Sequence, residues 1–399
     1  MSTFIRWKEG TDTQYALSIA STWVWAPALF VSSSMAHNNG IYGLLWFLIP
    51  NVLTLLLFGY ITTKLVQENG YNVAQGIESA DQKQKTLHKL LSAVLLVAST
   101  TVQMVGLHTV FSVWLGTSKI TTLLITAILC FSMVIFHGIK ACIKTDVIKY
   151  LILVICGVIL SVCSIKQGKF VGWGGLNNPS FLNISISFGI TSAIGLFCAP
   201  YVDNTFWQRA FCINKDKRFS VFLKSGLAFA IVPLLFALVG FFSIGGTDWS
   251  IGTAFSNNIL TTAVILAVIA ALVSTIDSNL CAISSLFYTS FIEENTTENT
   301  SNSISRIYML LLFVISGILF CSTNLSVVQW FLLYGTARTS IAVSTLLILT
   351  KHYDNDRLFV ATVAAVLIST FGYALTGSFV YTLLALLIPL LGYKSKIYA

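Results

Sequence analysis

Charge is scarce in this chain: Asp, Glu, Lys and Arg together make up 10% of its 399 residues, against 56% hydrophobic. A soluble domain of this size needs far more charged surface, so a water-soluble globular fold is excluded. Short alternating segments of about ten residues, the mark of an outer-membrane barrel, are also missing, and the apolar runs are instead of helix-spanning length. The eight cysteines form no CxxC pair and sit mostly inside apolar runs, as Cys130, Cys156, Cys163 and Cys281 do, which speaks against a zinc site or a disulfide framework. No HExxH, no GxSxG and no paired acids of the kind membrane-embedded active sites use are present, so nothing marks the chain as an enzyme. The net charge of +8 lies in short loops rather than in one patch, which excludes nucleic acid as a partner. The charged residues Arg6, Lys8, Glu9 and Asp12 precede a run of full span length, so no cleavable signal is expected.

What is there is an all-α polytopic membrane protein in a lipid bilayer. Breaks at charged or Gly/Asn-rich stretches predict twelve spans, at about 16–36, 41–63, 90–115, 120–138, 146–165, 184–204, 221–243, 259–291, 304–322, 326–349, 358–375 and 378–393. Loops on the N-terminal side hold 19 of the 23 Lys and Arg, and the other side holds Lys119, Lys166 and Lys169, with Arg338 within a span. This bias places both termini in the cytoplasm, in a plasma (inner) membrane. The acidic segment Glu293 to Ser303, with sequons at Asn295 and Asn299, is expected to be a flexible cytoplasmic loop.

One polar stretch interrupts the apolar pattern. ALVSTIDSNLCAISS, Ala271 to Ser285, sets a single acid, Asp277, among small and hydroxylated residues. A carboxylate in hydrocarbon needs a partner, water or an ion. On a helix Ala271, Ser274, Thr275 and Ser278 share one stripe. That stripe suits a hard cation, and it equally suits a neighbouring helix packed closely with hydrogen bonds across the contact. Both readings stand on spacing alone.

The other signals concern breaks and isolated polar groups. TWVWAPALF in span one carries Trp23, Trp25, Phe30 and Pro27, and the proline predicts a kink or break. Span six, NISISFGITSAIGLFCAP, is its counterpart, interrupted by Gly189, Gly195 and Pro200 with Ser185, Ser187 and Ser192 between. Paired broken spans point to a transporter built from inverted repeats around a central site. Gln103 is placed as a lining residue of that cavity, and His108 as a satisfied core histidine. Asp203, Trp207, Gln208 and Arg209 read as the cytoplasmic end of span six with an aromatic anchor. Arg338, taken as the only basic residue within a span, is expected to pair with Asp277.

At these residues the chain resembles the sodium:solute symporter family. DNTFWQRAF, Asp203 to Phe211, looks like the family's acid-then-WQR signature, and IKACIKTDVIKYLIL, Ile139 to Leu153, like its Lys-x-x-x-x-Thr-Asp turn. The resemblance implies a single domain with a five-plus-five inverted-repeat (LeuT-like) fold: a first repeat over 16–165, a second over 184–349, and two peripheral helices in 350–399. It implies Na+ as the coupling ion, held by Ala271, Ser274 and Thr275 with backbone carbonyls near Ala20 and Trp23. STWVWAPALFVSSSMA, Ser21 to Ala36, with GIYGLLWF, Gly40 to Phe47, is similar to the urea active transporter branch. This implies symport of urea or a related small amide, with Trp23, Trp25, Gln103 and Ser192 as its contacts. Asp203, Arg209, Asp277 and Arg338 are assigned to coupling or gating. Another small solute, such as an amino acid or a carboxylate, or a proton in place of sodium if Asp277 titrates, remains an alternative, as does a channel. Family members usually begin with an additional helix, whereas here the broken helix starts just after Thr13.

Overall fold

The computed structural model describes residues 5–243, 258–288 and 298–394. Helix α1 (Asp12–Trp23) opens on a reciprocal cap, in which the Thr11 side chain accepts from the Gln14 amide and the Gln14 side chain accepts from the Thr11 amide. It ends at Val24 (φ −78°, ψ 68°), and after an extended Trp25 the chain restarts as α2 (Ala26–Leu65). Pro27 lies in the first turn of α2, where a missing N–H costs nothing. The expected break in span one is therefore present, just ahead of the proline.

A straight 40-residue α2 would run about 60 Å, twice the thickness of a hydrocarbon core. It is divided at Gly40, whose φ of 64° only glycine adopts freely. A Cβ at that position would lie 2.1 Å from the Trp173 carbonyl oxygen. The short α3 (Val73–Gly76) leads to α4 (Gln82–Leu115), capped by Asp81 and closed by a left-handed Gly116. α5 (Lys119–Gln167) is divided at Gly138 (φ 56°) in the same manner as α2.

α6 (Phe181–Ile184) passes through a π-helical turn, Ser185–Gly189, into α7 (Ile190–Val202). Gly189, Gly195 and Pro200 do not break this helix. Pro200 falls in its last turn, where it forfeits the bond to the Leu196 carbonyl but leaves little helix beyond it to disrupt, and Gly195 serves close packing, since a Cβ there would lie 2.7 Å from the Gly335 Cα. The interruption is at Asp203 (φ −85°, ψ 108°), after which α8 (Asn204–Cys212) begins. A short helix precedes a long one at the first break, and a long one precedes a short one at the second.

α9 (Arg218–Phe241), α10 (Asn258–Phe287), α11 (Glu298–Ser322), α12 (Val327–Thr350), α13 (Asn355–Thr376) and α14 (Phe379–Leu387) complete the helices. A small antiparallel ribbon joins β1 (Lys169–Phe170) to β2 (Phe242–Ser243). Of the segment expected to be a flexible loop, Glu298 onward forms the opening turns of α11, and residues 293–297 lie outside the described residues.

Among the described residues, nine helices are long and apolar enough to cross a membrane, with shorter apolar helices at Lys119–Ser132 and Phe379–Gly392. Their outer faces expose Ile128, Phe136 and Leu375, as lipid contact requires and water would not favour. The interior reverses this pattern. α10 is buried from Ala270 to Leu286, polar residues included, with α4 and α5 on its flanks and α1 beside it, while α2 packs on α9 and α12 on α7.

Candidate cation and solute site

The end of α1 leaves carbonyls of its last turn without amide partners, and α10 brings its hydroxyl stripe to that end. Thr275 Oγ1 lies 3.1 Å from the Ala271 carbonyl oxygen and 3.2 Å from that of Thr22. Thr22 Oγ1 is in turn 2.9 Å from Ser278 Oγ. The Ala20 carbonyl accepts the last helical bond, from Val24 N at 2.8 Å. Ala20 and Ala271 are fully buried, and the donors that converge are neutral oxygens. Such a set fits a monovalent hard cation that has to be released again. Ser274 faces away from this point, donating to Asp146 Oδ1 at 2.9 Å.

Asp146 is one of four charged groups buried together. Its Oδ2 accepts from Ser18 Oγ at 2.6 Å and from Arg209 Nη2 at 3.0 Å. Arg209 Nη2 also donates to Ser278 at 2.6 Å, and its Nε to Ser18 at 3.1 Å. Lys149 Nζ lies 2.6 Å from Asp277 Oδ2 and 3.4 Å from Asp146 Oδ1. Three expectations are corrected here. Asp277 pairs with Lys149 rather than Arg338, because α5 runs alongside α10 and carries Asp146 and Lys149 one turn apart on the same face. Arg338 is not the only basic side chain inside the bundle, since Lys149, Arg209 and Arg218 are buried too. Finally, Trp207, Gln208 and Arg209 form no interfacial helix end; α8 is buried along its whole length, and Trp207 fills the core with its Nε1 donating to the Tyr201 carbonyl.

The second helix break faces the first. Asp203 caps α8 by accepting from the Thr205 amide and hydroxyl through Oδ1, while its Oδ2 pairs with Arg338 at 3.2 Å. The Arg338 guanidinium lies 3.6 Å over the Tyr334 ring and 5.3 Å from the Trp25 ring centre. Trp23 packs edge-on against Phe206 at 4.9 Å. Together Trp23, Trp25, Asp203, Thr275, Asn279 and Arg338 border a cavity of about 10 Å³, room for about one water. Three buried polar atoms here have no hydrogen-bond partner: Trp23 Nε1, Arg338 Nε and Asn279 Oδ1. The Asn279 amide nitrogen is held by Ser99 and Thr100, at 3.1 and 3.0 Å, which fixes where its oxygen points.

Of the predicted solute contacts, the structure thus brings Trp23 and Trp25 together. Gln103, which donates to the Ser99 carbonyl at 3.4 Å, and Ser192 are buried but do not border the cavity. His108 is 3.1 Å from the Thr122 hydroxyl. Sequence reasoning missed Asp146, Lys149 and Asn279. The signals existed: Asn279 follows Thr275 by one helical turn, and Lys149 follows Asp146 by three residues.

Comparison with known proteins agrees with this architecture. The model of the sodium:solute symporter family matches residues 8–180, which bears out the family resemblance and covers Ile139 to Leu153 but not Asp203 to Phe211. A Schizosaccharomyces pombe protein named probable urea active transporter 1 is 23% identical over 250 residues, 56% of this chain and 37% of the relative. The match therefore spans little more than a third of that protein's length. A Na+-coupled sialic acid symporter, solved substrate-bound and outward-open, superposes with a TM-score of 0.77 at 15% identity, over 97% of this chain and 89% of its own. MhsT in complex with L-phenylalanine gives a TM-score of 0.61 at 13% identity, over 97% of this chain and all of its own. At these identities the two structures speak to fold alone.

Proposed function

We infer that this chain, similar to the sodium:solute symporter family, is an integral membrane symporter that couples inward sodium movement to uptake of a small neutral solute by alternating access. The observation that carries the reading is the meeting of a broken helix with the α10 hydroxyl stripe, where Thr275 Oγ1 lies within 3.2 Å of two backbone carbonyls, next to a small cavity with unpaired polar atoms. Ala20, Trp23, Ala271 and Thr275 would hold the sodium ion, Ser274 being turned to Asp146 instead, and bound there it would supply positive charge joining α1 to α10 and the free energy of its gradient. At a membrane potential of 100 mV one such charge is worth about 2.3 kcal/mol, enough for accumulation of some tens-fold.

The chain's own groups account for binding. Among the residues bordering the cavity, Trp23 and Arg338 carry unpartnered N–H donors and Asn279 an unpartnered oxygen acceptor. An amide needs that combination: donors for its carbonyl and an acceptor for its N–H. Trp25 supplies an aromatic wall. Because Asp203 already pairs with Arg338, the cavity offers no spare positive charge, which favours a neutral solute over a carboxylate. Neutrality and amide complementarity together support urea or a close analogue, which a cavity with room for about one water admits only once the bundle opens. α1 ends and α8 begins beside this cavity, so filling it can be felt at both helix breaks when the bundle rocks.

Uptake of labelled urea into proteoliposomes with an imposed inward sodium gradient tests the reading. Accumulation that requires sodium and is lost in Thr275→Ala is expected. Uptake indifferent to the gradient would point instead to a channel. A preference for proton over sodium gradients would move the coupling role elsewhere in the bundle.

A further inference from the structure

The transport reading leaves one cluster unused. Between α5 and α10, Asp146 and Asp277 present carboxylate oxygens, and Ser274 and Ser278 present hydroxyls, in a fully buried space. Oxygens so grouped are what a hard cation seeks. The positive charge in this space nevertheless belongs to the chain. Lys149 Nζ sits 2.6 Å from Asp277 and 3.4 Å from Asp146, while Arg209 occupies the other Asp146 oxygen at 3.0 Å. Two acids meet two bases, so the cluster is already neutral. A further free cation would bring an uncompensated charge into a poorly solvated interior, which is strongly unfavourable.

We propose that the Lys149 ammonium is a tethered cation, filling an oxygen-lined position that would otherwise admit a second metal ion, and so limits the protein to one free coupling ion at Thr275. The proposal rests on the transport reading. Arg209 does not play this part, because its guanidinium is spread over Ser18, Thr205, Asp146 and Ser278 and bridges elements rather than sitting between the two acids. Only Lys149 reaches both carboxylates from a single atom. A tethered charge balances the acids in every conformation yet never leaves with the solute, so it contributes nothing from the gradient.

Counting radioactive sodium bound to the purified chain at saturation is the test, since it needs no transport activity. One ion per chain is expected for the native protein and for Lys149→Arg, with a non-cooperative isotherm. Lys149→Met should bind two, with a steeper isotherm, the second ion taking the vacated place beside Asp277. In Lys149→Met/Asp277→Asn both charges are removed, and the count should return to one. Two ions in the native protein would overturn the proposal while leaving the transport reading intact; none would overturn the transport reading itself. A folded Lys149→Met that binds one ion also overturns the proposal. Should that variant not fold, the native count and a second ion in the double variant remain able to refute it.

Discussion

Two polar regions lie within the same bundle, and they are built on opposite terms. The Asp146 carboxylate is saturated, with Ser18, Ser274, Arg209 and Lys149 all reaching it, and beside it only Asp277 Oδ1 lacks a partner. The cavity beside Trp25 is bordered by three residues with unpartnered buried atoms, Trp23 Nε1, Arg338 Nε and Asn279 Oδ1. A buried polar group without a partner costs roughly 1–3 kcal/mol, so three in one place are hard to retain unless a ligand relieves them. On the proposed function, the nearly saturated region holds helices together and the deficient one takes the solute.

The contrast can be broken from either side. Asp146→Ala should have the largest effect, leaving Lys149 and Arg209 to share one acid, with a loss of about 3–5 kcal/mol in stability. A thermal-unfolding scan that found the native melting temperature would show that the cluster does not hold the fold. Next, Thr275→Ala removes the hydroxyl shared between α1 and α10 and should raise the half-saturating sodium concentration roughly tenfold, equivalent to about 1.4 kcal/mol. Sodium-dependent protection against unfolding measures this without transport.

Smaller effects sharpen the account of the cavity. Asp203→Asn frees the Arg338 charge, and competition assays should then show relative affinity moving about tenfold from neutral amides toward small carboxylates. If preference is unchanged, Asp203 is only a helix cap. The smallest expected change is in Trp23→Phe, which deletes an N–H with no partner in the protein. Solute affinity should fall about fivefold, near 1 kcal/mol, with no loss of melting temperature. A drop in stability instead would mean that the indole N–H serves the core.

Much of this was legible before the fold. The near absence of charge announced the bundle, the strings around Trp23 and Trp207 carried the family resemblance, and Thr275 could be placed on a stripe by counting turns. Pairings were not legible. Lys149 lies close enough to Lys140 and Lys144 in sequence to read as loop charge, yet α5 carries it inward to Asp277. Gly189, Gly195 and Pro200 looked like the second break, but glycine in such helices serves close approach as often as interruption, and here Gly195 lies against Gly335. Arg209 looked like a helix-end charge and is instead fully buried.

The sequence by itself determined the solvent, the helical class and the position of the α10 stripe, because these follow from composition and from periodicity along one element. Only the tertiary structure decided which acid meets which base, where the second helix break falls, and which residues with unpartnered polar atoms border a cavity. Those outcomes depend on contacts between residues more than 100 positions apart, as Lys149 with Asp277 and Asp203 with Arg338 are, and helical periodicity fixes a residue's face without naming the helix it will meet.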